Sequence, residues 1–91
     1  MDPYTIANKA FAGIKIVYNT KNNMVHGSGF EPPAHMDKSV DELILIFTHL
    51  RYDIYTHWTS HQEPPSTYFK RCRTVVEICN MAIIDLKGIY R

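Results

Sequence analysis

Four polar side chains recur every four residues: His49, Asp53, His57 and His61. In a helix this spacing stacks them along one slowly drifting ridge, and a His-x-x-x-His pair can offer two imidazoles to one divalent cation. His57 and His61 are therefore the candidate metal ligands. A catalytic zinc site needs a third protein ligand, which Glu63, His26 or His35 would have to supply from another segment. At 100° per residue, however, His49 and Asp53 fall on the solvent side. The competing reading is a polar helix flank with an Asp53–His57 pair.

A second cluster, Ser66, Thr67, Tyr68, Lys70, Arg71 and Arg73, stands just after a proline pair at the expected start of a helix. A helix N-terminus already carries partial positive charge and unbonded N–H groups, so acidic side chains are the stabilising choice there. Three cations in that place ask for an anion opposite them: a phosphate, a nucleotide, or a carboxylate on a protein partner. Tyr68 adds a ring for stacking. The competing reading is a solvated basic face, or pairing across subunits with Asp37, Asp41 or Glu42.

Other chemistry is poorly represented. Gly27-Ser28-Gly29 lacks the lysine and the following helix of a phosphate loop and reads as a turn. Cys72 and Cys79 would lie about 10.5 Å apart on a helix, beyond disulfide reach, and read as reduced, buried thiols. No serine sits in a nucleophile elbow, and no Glu-x-x-Glu or Glu-x-x-His pair occurs. No cofactor is expected.

The elements that must position these residues follow from periodicity and punctuation. Asp2-Pro3 is a cap followed by a first-turn proline, and Gly13 is a stop signal, which predicts a short helix over 3–12. Its inner positions, Tyr4, Ala7, Ala10 and Phe11, are mostly small and predict close packing against something larger. The β-formers Ile14, Ile16, Val17 and Tyr18, the turn-rich run 19–23 and the stretch 24–30 predict a small β-hairpin, ended by Pro32-Pro33.

Ser39 and Glu42 have capping-box spacing, and Val40, Leu43, Ile44, Phe47, Leu50, Ile54 and Trp58 then hold one apolar face, predicting a helix over 39–60. Phe69, Cys72, Val75, Val76, Cys79, Ala82, Ile83, Leu86 and Tyr90 predict a second helix over 66–90, capped by Ser66 or Thr67. The short link predicts an antiparallel two-helix hairpin. The fold class expected is thus mainly α (α+β): one domain over 1–91, with a short helix and hairpin in 1–36 followed by the helical hairpin. Helices of this length overhang a compact sphere, and Leu45, Ile46, Ile78 and Ile84 lie off the main seams, so a homo-oligomer is expected.

Gly13-Ile14-Lys15-Ile16-Val17-Tyr18-Asn19, followed by Asp41, Leu43, Phe47, Leu50, Tyr52 and Ile54, resembles the opening strand and first helix of a caspase large subunit. The Ser-His-Gly and Gln-Ala-Cys segments that carry that family's catalysis do not occur in the chain. A caspase also needs a strand at 52–58, where the helical period continues here. No assignment to that family is made.

Ten Lys plus Arg against nine Asp plus Glu give a net charge of +1, which argues against a nucleic-acid coat or a polybasic membrane binder. The sequence shows neither an export signal nor an 18-residue apolar window, so a cytoplasmic protein is expected. The leading reading is a small non-enzymatic binding or inhibitor protein, of the type viruses and phages carry as accessory factors. It would occupy a protein partner or sequester an anionic ligand through the basic helix start. The alternative is a small metal-dependent hydrolase using the histidine pair.

Overall fold

The computed structural model describes residues 2–18, 32–57 and 65–89. They form three helices, α1 (Pro3–Tyr18), α2 (Val40–His57) and α3 (Pro65–Gly88). The expected helical character holds. The expected strand at 14–18 does not: α1 continues through it to Tyr18. The second expected strand, 24–30, lies outside the described residues.

α1 starts where Asp2 provides its cap. The Tyr4 N–H donates to Asp2 Oδ1 at 3.3 Å, and the Thr5 and Ile6 N–H groups donate to the Asp2 carbonyl oxygen. Its buried residues are Ile6, Ala7, Ala10, Phe11 and Ile14, with Val17 partly buried. Seven, ten or eleven, fourteen and seventeen is a helical rhythm. Burying that stripe outweighs the β-preference of an Ile-Lys-Ile-Val-Tyr run, because intrinsic preferences are small beside packing.

Gly13 does not end the helix. A Cβ placed there would come 3.4 Å from Ile78 Cδ1, so the absent side chain marks the place where α1 lies close against α3. The resemblance to a caspase opening strand ends at this point as well, since Gly13–Tyr18 is helical.

α2 is opened by the capping box. The Ser39 N–H donates to Glu42 Oε1 at 3.1 Å, and the Glu42 N–H donates to Ser39 Oγ at 3.2 Å. Leu43 and Phe47 are fully buried, while Val40, Ile44, Ile46 and Leu50 flank them. Ile54 and Trp58, the end of the expected apolar face, lie outside the described side chains.

α3 begins at Pro65, earlier than a Ser66 or Thr67 cap would place it. Proline costs nothing at the first helical position, where its missing N–H would have had no partner. Cys72, Val75, Cys79, Ala82, Ile83 and Leu86 are buried, as the periodicity predicted. Phe69 is not among them; it is 56% exposed. Both cysteines are buried thiols.

One continuous core joins the three helices. α1 and α2 both pack on α3. Phe11 and Phe47 stack at 4.7 Å between α1 and α2, and Arg51 Nη1 donates to Asn80 Oδ1 at 2.6 Å between α2 and α3. The segment before α2 is tied to α1 by the Tyr4 hydroxyl, which donates to the Lys38 carbonyl oxygen at 3.2 Å. His35 adds a second tie, with its Nε2 2.6 Å from Asn8 Oδ1 and its ring 4.8 Å from that of Phe11. The molecule measures 43 × 21 × 18 Å with a radius of gyration of 13.5 Å, above the ~12 Å of a compact chain of this length. The long helices set that elongation.

Candidate functional site

With α3 starting at Pro65, Lys70, Arg71 and Arg73 lie in its second and third turns. The helix-terminus field decays within the first turn, so these cations act as side chains on a helix wall. Ser66, Lys70 and Arg73 are exposed. Arg71 sits at the flank, its Nε closed off from solvent, so its stem joins the packing at the edge of the core. The side chains of Thr67 and Tyr68 lie outside the described residues.

The buried positions 72, 75, 79, 82 and 86 alternate steps of three and four. Extended backwards, that spacing reaches 68 rather than 69. Phe69 therefore turns away from the seam and stands one turn before Arg73, beside Lys70. The result is an exposed ridge in which an aromatic ring lies between two cations and a hydroxyl. Phe69 was missed as a surface residue because any apolar side chain near a periodic face is easily counted into it. Counting back by seven from the buried Ile83 gives the partly buried Val76 and then Phe69 itself, so the repeat alone did not exclude it.

Along this part of the helix the Thr74 hydroxyl donates back to the Lys70 carbonyl oxygen at 3.0 Å. Glu77, four residues after Arg73, is the nearest exposed carboxylate in register on the same wall. It limits the basic stretch on its C-terminal side.

The histidine series is only partly described. His49 and Asp53 are exposed on α2, as their angular positions predicted. The side chain of His57 and the whole of His61, together with Glu63 and His26, lie outside the described residues, and so does the expected metal-ligand set. Among the described residues no group of three or more His, Cys, Asp or Glu side chains could hold a metal ion. Among them, too, no helix is long and apolar enough to cross a membrane.

One thiol and one carboxylate complete the titratable picture. Burial pushes the Cys79 thiol up to about 11, against the opposing pull of the Arg51 guanidinium. Such a thiol is a poor nucleophile at neutral pH and serves packing. The Ser39 N–H holds the Glu42 carboxyl below its ordinary value, helped by the Ser39 hydroxyl and Lys38. That shift belongs to the capping box. Comparisons with protein-family models, curated proteins and solved structures find no match to this chain.

Proposed function

We propose that the chain is a small non-enzymatic binding protein that occupies an acidic surface of a protein partner with the ridge Ser66, Phe69, Lys70 and Arg73, flanked by Arg71. The observation that supports this reading is the exposure of Phe69 beside Lys70 and Arg73. An exposed aromatic ring held on a rigid helix and bordered by cations is the composition of an interface anchor, where apolar burial supplies energy and charge supplies orientation. The ridge is the convex wall of a helix. Small anions are held in concave sites that surround them, so an acidic protein surface fits better than a sequestered small molecule.

Blocking a partner by occupancy needs no catalytic group, which suits an inhibitor or an accessory factor carried by a virus or phage. We further propose a homo-oligomer and a reducing, cytoplasmic setting. The exposed Leu45 and Ile84 favour the first, and two buried thiols favour the second.

The test is titration with a poly-glutamate peptide, and separately with inorganic phosphate, at low and high salt. The wild type should bind the peptide in a salt-dependent way, and the triple change Lys70→Gln, Arg71→Gln, Arg73→Gln should abolish binding while leaving the circular dichroism spectrum unchanged. Phe69→Ala should weaken binding at all salt concentrations. Full peptide affinity in the triple variant at low salt would overturn the reading. Binding of phosphate alone would return it to anion sequestration.

A further inference from the structure

The outward face of α2 carries a second stripe at alternating steps of four and three: Lys38 just before the helix, then Glu42, Leu45, His49 and Tyr52. Leu45 is 55% exposed and Tyr52 71%, and a shallow groove of about 240 Å³ runs between Lys38, Glu42, Leu45, Ile46 and His49. Steps of four and three are the spacing of a helix–helix seam, and this seam is separate from the one that Leu43 and Phe47 bury inside the molecule.

We propose that this face binds a second copy of the chain, with the two α2 helices antiparallel about a two-fold axis passing between Leu45 and Ile46. Positions equidistant from that axis face each other. Leu45 of each copy then enters the groove of the other against Ile46, which supplies the apolar centre. Glu42 meets His49 of the second copy, a carboxylate against an imidazole N–H, and this contact is made twice. An in-register parallel pairing would instead set Glu42 on Glu42 and Lys38 on Lys38. The charge pattern thus selects the antiparallel arrangement.

The capping box contributes to the geometry. Glu42 Oε1 is held by the Ser39 N–H at 3.1 Å, which fixes the carboxylate on the helix wall. The contact is a single helix pair about 21 Å long, shorter than needed for the ~1,200 Å² of a standard interface. The dimer is therefore reversible and concentration-dependent.

This inference rests on the self-association proposed above and names its surface. The basic ridge lies on α3, so the two readings can fail separately. Sedimentation equilibrium of the full chain up to millimolar concentration is the test. The wild type should approach dimer mass. Leu45→Glu should raise the dissociation constant at least about tenfold with unchanged helix content, since Leu45 is not in the core. His49→Lys, placing a cation opposite Glu42, should tighten the dimer at low salt, and His49→Glu should weaken it.

Overturning results are a monomer at every concentration, equal effects of His49→Lys and His49→Glu, or a dimer that survives Leu45→Glu but is broken by Ile84→Glu, which would put the contact on α3. Poly-glutamate binding by the Leu45→Glu monomer tests the ridge independently of assembly.

Discussion

The ring of Phe11 lies 4.7 Å from that of Phe47 with only 24° between their planes, and this offset stack is where α1 meets α2. Both rings are buried, and the His35 ring leans on Phe11 from the segment that leads into α2. Each ring is thus packed by neighbours from more than one element.

Truncating either ring should therefore be costly. Phe47→Ala and Phe11→Ala should each lower stability by about 3–5 kcal/mol in denaturant unfolding. Their double change should cost less than the two losses together, by about 0.5–1.5 kcal/mol, because the ring pair is lost only once. Strict additivity would show that the two rings do not interact.

Gly13 allows a graded test of the α1–α3 contact. Gly13→Ala removes the entropic penalty of a helical glycine, about 0.5–1 kcal/mol, and its Cβ would only touch Ile78 Cδ1 at 3.4 Å. A gain of up to about 1 kcal/mol in thermal or chemical unfolding is expected. Gly13→Leu should reverse the sign, since a larger side chain must push the two helices apart.

The capping box should be visible in the pH dependence. Ser39→Ala should cost about 1 kcal/mol at neutral pH. The Glu42 carboxyl is held below its ordinary value of 4.5, so its contribution is present above that value and is lost as pH falls through the lower folded value. Glu42→Gln should therefore be less stable than the wild type at pH 7 and converge with it in acid. A stability difference independent of pH would remove the carboxylate from the account.

Cys79 predicts the opposite end of the pH scale. Its thiol is raised from 9.0 to about 11, so the folded state holds the proton more tightly than the unfolded chain. Stability should be complete below pH 9 and fall as pH rises towards 11, with the slope reduced in Cys79→Ala. A native-state thiol reagent at pH 8 should leave Cys79 unmodified until the chain is unfolded.

Much of the helical framework was legible in local signals. Asp2-Pro3 and Ser39-x-x-Glu42 announce helix starts because their side chains bond the donors that any helix leaves open, and no distant contact is needed for that. The run Cys72, Val75, Cys79, Ala82, Ile83, Leu86 declares its buried face because its spacing matches the helical turn. The cation cluster was equally legible as a composition, Lys70, Arg71 and Arg73, but not as a surface.

What the residues from 13 to 18 would do was decided by the tertiary structure. Gly13 and an Ile-Lys-Ile-Val-Tyr run favour a stop and a strand by local preference, a matter of tenths of a kcal/mol per residue. Burying Ile14 fully and Val17 partly in the shared core outweighs that preference. The same is true of the choice between Phe69 and the seam, and of Leu50 and Val76, which flank a core filled by Leu43, Phe47, Val75 and Cys79. Sequence by itself determined which stretches carry helical signals and which side chains are charged, because caps and periodicity act within a few residues. Only the packing of α1 and α2 against α3 decided where α1 ends, which apolar residues stay outside and which cations stand beside an exposed ring, because those outcomes depend on surfaces that no single helix contains.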